Sequence, residues 1–346
     1  MTAWTVRVYA PAMAQGTILL TGGAGFIGSH VAVELAALGW LPVLLDNFST
    51  SDRSVVDRIG RIIGTPIECI EADIRDRAAL DAAFSAHRVH AVIHLAGLKA
   101  VGESVEQPAL YHDNNVNGSR VLLAAMDHAG VTRMVFSSSA TVYGSPIRLP
   151  IDEDHPRSAL NPYGETKLLI EDMLDAWVAA GDGRHACSLR YFNPVGAHES
   201  GLIGESPRGI PNNLMPYVVK VAAGELPELG VFGDDWPTVD GTGVRDYIHV
   251  VDLAAGHRAA LERVDSMRHE CINLGTGTGH SVLGLVKAFE RVNGVPVPYA
   301  IRPRRPGDAA AAYADPSLAR RRLGWTATRG LDDMVRDAWA FARRAR

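Results

Sequence analysis

Short apolar runs that end in glycine, acidic or hydroxyl residues recur along the first half of the chain, separated by stretches whose apolar positions repeat at helical spacing. Residues 17–21 form the first run, which stops at Gly22-Gly23-Ala24-Gly25-Phe26-Ile27-Gly28; Val31, Leu35 and Leu38 then share one helical face. Residues 41–45 end at Asp46, 67–72 at Asp73-Ile74, 91–95 at Ala96-Gly97, and 133–136 at three serines, with 187–192 closing the series. Strands that alternate with helices predict an α/β fold, a doubly wound parallel sheet, with ligands at the carboxyl ends of the strands. Asp73, Ala96, Gly97, Lys99, Asn114, residues 137–139 and Tyr163 fall at those ends or just beyond. His94 closes a run and reads as a packed residue. After Asn193 the texture changes: Pro194, Pro207, Pro211 and Pro216 interrupt glycine-bearing loops, and Arg245-Asp246-Tyr247, Arg304-Arg305 and Asp308 read as loop-like. The expected organisation is a tail at 1–16, a first domain at 17–193, and a smaller mixed α/β lobe at 194–346 that closes over the sheet and returns some segments to it.

The glycines carry the first chemical signal. Strand, glycine turn and helix follow one another as a dinucleotide site requires: Gly22 and Gly25 let the backbone approach a pyrophosphate at the helix N-terminus, and Gly28 lets the helix pack on the strand. Asp46 lies about 20 residues on, where a carboxylate grips a ribose diol. A 2′-phosphate would meet that charge, so NAD is expected over NADP. The second signal is Tyr163-Gly164-Glu165-Thr166-Lys167. Four residues apart on a helix, phenol and ammonium share a face, and a cation ~4 Å away at an effective dielectric of ~20 lowers a phenol by up to about three pH units. The expectation is a Tyr163 phenolate near neutral pH, with Ser139 beside it.

Composition narrows the classes. The 346 residues carry a net charge of -5, which argues against a nucleic-acid surface and leaves any phosphate to local arginines or backbone. Cys69, Cys187 and Cys271 stand alone, without CxxC or histidine spacing, so no metal is expected and a reduced, cytoplasmic compartment is. No apolar run approaches a membrane span. Residues 1–16 resemble nothing that follows; residues 1–12 are expected to be dispensable, with Met13 an alternative start.

Longer stretches resemble a known family, the extended short-chain dehydrogenases/reductases, and within it the UDP-glucose 4-epimerases. Ala96-Gly97-Leu98-Lys99-Ala100-Val101-Gly102-Glu103-Ser104 and Asp113-Asn114-Asn115-Val116-Asn117-Gly118 look like the family's cofactor-side segments, and residues 137–144, 191–198, 209–216 and 241–250 like its catalytic and sugar-nucleotide segments. The resemblance implies NAD on Gly22, Gly25, Phe26, Ile27, Gly28, Asp46, Asn47, Asp73, Ile74, Ala96, Gly97, Lys99 and Asn114, together with Tyr163 and Lys167. It implies a UDP-sugar on Ser139, Asn193, Asn213, Leu214, Phe232, Arg245, Tyr247, Arg305 and Asp308. Ser139, Tyr163 and Lys167 would be catalytic, inverting the sugar at C4 through a transient ketone. A nucleotide-sugar 4,6-dehydratase on this scaffold would need an acidic pair after the catalytic hydroxyl residue, where this chain has Ala140-Thr141. A dinucleotide-sensing regulator would not need the full Ser, Tyr and Lys set. In this family one position beside the sugar C2 substituent acts as a gate, and alignment through Arg304-Arg305-Pro306-Gly307-Asp308 puts Ala312 there, small enough to admit an N-acetyl group; a one-residue slip would put Tyr313 there instead. The helix around Leu168, Leu169, Met173, Leu174 and Trp177 is apolar over more than one face, and the family pairs subunits at that helix, so a homodimer through a helix bundle is expected.

Overall fold

In β1 (Thr17–Thr21), Ile18 and Leu20 pack to one side and Leu19 to the other, all inaccessible to solvent, so this apolar run is a strand covered on both faces. The computed structural model describes residues 15–207, 209, 211–305 and 307–344; the expectations for residues 1–12 and Met13 lie outside them. With β2 (Leu41–Asp46), β3 (Glu68–Glu71), β4 (Val89–His94), β5 (Arg133–Ser139), β6 (His185–Tyr191) and a later strand, β10 (His269–Leu274), β1 builds one seven-stranded sheet in the order β10-β6-β5-β4-β1-β2-β3. Every pairing in it is parallel. Helices α1 (Phe26–Ala37), α2 (Ser54–Ile63) and α9 (Val250–Arg263) share one apolar cluster. Helices α3 (Arg77–Ala86), α6 (Gly118–Ala129) and α7 (Pro162–Ala179) share another across the sheet. Between α3 and α6 run the short α4 (Val101–Glu106), α5 (Pro108–Tyr111) and a π-helical turn, His112–Asn117. The strand order reverses between β1 and β4, which opens a crevice at their carboxyl ends.

The second lobe holds α8 (Leu214–Ala222), α10 (Val282–Asn293) and α12 (Leu331–Arg344) around one core. Its strands are β7 (Asn193–Val195), β9 (Val244–His249), β11 (Gly279–Ser281) and β13 (Ala311–Ala312) in one sheet, and β8 (Leu229–Phe232) with β12 (Tyr299–Arg302) in a parallel pair. The helix α11 (Ser317–Leu323) packs on the first lobe's core.

Three local readings change. Gln15 and Gly16, assigned to the tail, are tied down: Gln15 N–H donates to the Gly39 carbonyl at 3.1 Å and the Gly16 carbonyl accepts from Leu41 at 3.0 Å. Arg245-Asp246-Tyr247 is strand, not loop; Asp246 is fully buried because backbone amides of Thr276, Gly277 and Ala314 satisfy its carboxylate. Pro216 sits in the first turn of α8, where its missing N–H is one that the helix would leave unpaired. The segment that returns to the large sheet is 250–274, where β10 extends the sheet and α9 packs on its apolar cluster.

Candidate active site

The crevice at the switch point is built by glycines. Gly22 takes a left-handed φ of 69°, and a Cβ there would lie 2.7 Å from Ala96 N, so the turn packs directly on the loop after β4. At Gly28 a Cβ would lie 2.3 Å from the Gly22 carbonyl oxygen. The N-terminus of α1, with Gly25 as its uncapped first position, is left as bare backbone N–H groups, the arrangement that cradles a phosphate. Asp46 closes β2 beside it: Oδ2 accepts from Ala24 N–H at 3.0 Å, and Oδ1 from Phe48 N–H at 2.9 Å and Ser51 Oγ at 2.8 Å. The carboxylate is thereby aimed past the glycine turn, and its acceptor capacity is not exhausted. These residues fit a dinucleotide.

The remaining cofactor candidates continue from there. Asn47 Nδ2 donates to Asp73 Oδ2 at 2.9 Å, and Arg75 beside it holds the Asp73 carboxyl well below the usual carboxylate range. Ile74 is buried against Gly118, and Ile27 is partly buried against the core. Phe26 stands edge-on to His30 with ring centroids 5.4 Å apart. Asn114 Nδ2 donates to Asn115 Oδ1 at 2.9 Å, and that oxygen also takes Leu98 N–H at 2.8 Å, which fixes the loop of Ala96, Gly97 and Lys99. A Cβ at Gly97 would lie 3.8 Å from Lys167 Nζ, so this loop reaches the catalytic candidates.

Ser139 ends β5 and Tyr163 opens α7, whose N-cap Asn161 accepts from Gly164 N–H at 2.9 Å. Lys167 Nζ donates to the Ser137 carbonyl at 2.7 Å and stands 4.8 Å from the Phe136 ring centroid and 5.7 Å from that of Tyr163. Ser139 Oγ accepts from Thr141 N–H at 3.2 Å, and it lies close enough to the Tyr163 phenol to pull against the effect of burial. The three side chains therefore adjoin. Burial pushes the Tyr163 phenol up, and the Ser139 hydroxyl only partly opposes it. Burial brings Lys167 down to about 8, with the Glu171 carboxylate opposing. The expectation that Lys167 alone makes Tyr163 a phenolate near neutral pH is thus not met: the ammonium bonds a backbone carbonyl, and desolvation of the phenol dominates.

Across the crevice, Arg305 lies over the Phe232 ring, 3.7 Å from its centroid, and Arg245 Nη1 donates to the Ala309 carbonyl at 2.9 Å with Nη2 3.5 Å from Asp308 Oδ1. Ala312 pairs with Arg245 in the β13–β9 register. It packs in one cluster with Phe192, with Ala140 next to Ser139, and with Leu168 next to Lys167. Tyr313 points the other way, 3.1 Å from where a Gly279 Cβ would be. Asn193 stands opposite Tyr247 in the β7–β9 register. Leu214 and the Tyr247 ring pack in the second lobe's core.

Two features escape sequence reasoning. Glu205 accepts both Lys99 Nζ at 3.1 Å and Asn213 Nδ2 at 2.8 Å on one oxygen, joining a cofactor candidate to a sugar-nucleotide candidate. The contact is long-range, and no local pattern marks it. Glu171, one turn after Lys167, is fully buried and pairs with Arg190; the four-residue spacing on α7 was its one legible signal. Among the described residues no group of three or more His, Cys, Asp or Glu side chains is arranged to hold a metal ion.

The pattern of the NAD dependent epimerase/dehydratase family matches residues 18–275. The chain is 56% identical over 325 residues to a UDP-glucose 4-epimerase of Bacillus subtilis, covering 94% of this chain and 96% of that one. A UDP-glucose 4-epimerase from Stenotrophomonas maltophila, solved with NAD and a formylated UDP-arabinopyranose, superposes with a TM-score of 0.94 at 54% identity, covering 96% of this chain and 99% of that chain. One from Bifidobacterium longum, solved with NAD+ and UDP, gives 0.91 at 50% identity and coverages of 95% and 98%.

Proposed function

The chain belongs to the NAD dependent epimerase/dehydratase family, and on that premise we infer that it is a UDP-glucose 4-epimerase, interconverting UDP-glucose and UDP-galactose with NAD as cofactor. The observation that supports the reading most directly is that Ala312 of the second lobe packs against the same apolar cluster as Ala140, next to Ser139, and Leu168, next to Lys167. Gly22, Gly25 and Gly28 hold the pyrophosphate at the start of α1, Asp46 and Asn47 a ribose, and Lys99 and Asn114 the end nearer the chemistry. Bound there, NAD would supply a reversible hydride acceptor for the sugar C4 and a positive charge that, with that of Lys167, would favour the Tyr163 phenolate. Tyr163 accepts the 4-hydroxyl proton and gives it back, and Ser139 hydrogen-bonds the same oxygen. Lys167, protonated at neutral pH, supplies the fixed cation. The keto sugar must turn over between the two transfers, so the diphosphate is held firmly and the sugar loosely. Arg245 and Arg305 suit the firm part, with forked, permanent charges.

Three finer readings belong to the same proposal. Ala312 at the sugar end leaves room for an acetamido group, so UDP-GlcNAc and UDP-GalNAc are substrates too. Val101 and Val105 on α4, Leu110 on α5 and Leu169 on α7 are exposed, and α4 and α5 pack on α7, which supports a homodimer through these helices. Three free thiols support a cytoplasmic setting. No helix among the described residues is long and apolar enough to cross a membrane. The test of the central reading is incubation with UDP-galactose: UDP-glucose should accumulate without net consumption of NAD, and Tyr163→Phe should abolish this while still binding UDP. Absence of UDP-glucose, or near wild-type turnover in the variant, overturns it.

A further inference from the structure

The only carboxylate on the catalytic face of α7 is one the reaction described above does not use. Glu171 and Arg190 side chains are 0% and 4% exposed. Glu171 Oε1 accepts from Ser138 Oγ at 2.6 Å and Arg190 Nε at 2.9 Å; Oε2 accepts from Arg190 Nη2 at 2.7 Å and Arg157 Nη1 at 3.3 Å. A buried ion pair is a poor source of stability, since apolar side chains of like volume do as well, so its position invites another explanation. Glu171 lies four residues after Lys167 on the same face of α7. Ser138, which it bonds, lies between Ser137, whose carbonyl takes the Lys167 ammonium, and Ser139. Arg190 stands opposite Ser138 in the β5–β6 register and extends the set through Tyr143 Oη to Asn273. The end of β5 is therefore tied to α7 at two successive points, both ionic on the helix side.

We propose that Glu171, paired with Arg190, is a positioning residue for the epimerisation: it locks the strand end that carries Ser139 against α7 and sets the charge balance around Tyr163 and Lys167. This rests on the reading of those residues given above. The groups that face Lys167 are Tyr163 and Glu171 on its own helix, the Phe136 ring and Ser137 carbonyl on β5, and His94 on β4, which burial holds neutral. Glu171 faces Ser138 on β5, Arg190 on β6 and Arg157 from the preceding loop; the Cys271 thiol on β10 is pushed up to about 12 by burial and stays neutral. A nearby negative charge favours the protonated form of both Lys167 and Tyr163. Removing it shifts the whole bell of kcat against pH toward acid, and removing the Arg190 charge shifts it toward alkali. A role confined to packing would move neither limb, or both variants the same way.

The experiment compares Glu171→Gln and Arg190→Met with wild type in NAD-loaded protein, reading kcat for UDP-galactose from pH 6 to 10 and, separately, the phenolate absorbance as pH is raised, referenced to Tyr163→Phe. In Glu171→Gln the ratio of kcat at pH 9 to that at pH 7 should fall about fivefold or more, with KM changed less than about threefold, and the phenolate should form at lower pH. In Arg190→Met that ratio should rise. If Gln leaves Arg190 unpaired and the protein does not accumulate, Glu171→Gln with Arg190→Met keeps the interior neutral and should show a smaller shift toward acid. Superimposable profiles, or shifts of both single variants in one direction, overturn the proposal. The phenolate titration needs no turnover, so it reports on Glu171 even if the wild-type assay finds no epimerisation, which would instead defeat the reading of function.

Discussion

Acid should weaken this protein above the ordinary carboxylate range, because three histidines of the first lobe are buried neutral. Burial brings His30 and His94 to about 3 and His257 to about 4, from an ordinary 6.5. Each ring is almost wholly shut off from solvent, so a second ring proton would put a positive charge where water cannot solvate it. His30 Nδ1 is bonded to the Phe26 carbonyl at 2.7 Å, and His257 Nδ1 to that of Leu253 at 2.9 Å. His94 lies between Thr21 Oγ1 at 2.7 Å and Ser119 Oγ at 2.8 Å; Ser119 gives its own proton to the Asn115 carbonyl, so His94 Nε2 carries the ring hydrogen. With folded values below the unfolded one, the unfolded chain binds more protons, and stability is lost as pH falls from about 6.5 toward the folded values. From pH 7 to pH 5 each group loses about 2 kcal/mol at 1.36 kcal/mol per unit, so the three together lose about 6 kcal/mol. At roughly 2.1 cal/mol/K per residue, that is a fall of roughly 8 °C in Tm. The pH 7 to 5 window lies above the ordinary carboxylate range; burial raises the Asp246 and Glu153 carboxyls, which works against the histidines, while His198 and His90, also lowered, add to them. Scanning calorimetry or urea unfolding at pH 7, 6 and 5 and constant salt measures it, and saturating NAD should offset part of the loss, since His30 follows the phosphate cradle directly. A loss under about 2 kcal/mol across the window would refute the reasoning, because burial would then not be holding these rings neutral.

Gly28→Ala puts a methyl 2.3 Å from the Gly22 carbonyl oxygen, which is backbone and cannot swing away; α1 must shift off its cradle. A stability loss of about 1–3 kcal/mol and protein purified largely free of NAD are expected, and wild-type NAD content after desalting would contradict this. Ala312→Tyr should suppress turnover of UDP-GalNAc at least tenfold more than that of UDP-galactose; an equal effect on both, or no wild-type activity on the N-acetylated sugar, removes Ala312 from the gate. Val105→Glu, at a position 62% exposed on α4, should convert a dimer to monomers in sedimentation experiments. An unchanged mass would place the interface elsewhere.

What the sequence determined by itself was local. Runs of residues 17–21 and 41–46 declared strands because both faces of a parallel sheet are covered, and the spacing of Gly22, Gly25 and Gly28 declared a strand-turn-helix unit because a single turn sets all three demands. Tyr163 and Lys167 shared a face for the same reason, helical geometry over four residues. Tertiary structure decided whatever depended on partners distant in the chain. It turned Arg245-Asp246-Tyr247 into strand, because amides from 276, 277 and 314 satisfy the buried Asp246 carboxylate. It aimed Ala312 at the cluster beside Ser139 and Tyr313 away, a choice fixed by pairing with β9 that an alanine run leaves open. It also raised Tyr163 where charge counting lowers it, because desolvation depends on everything packed around a group, and no local window of sequence contains that.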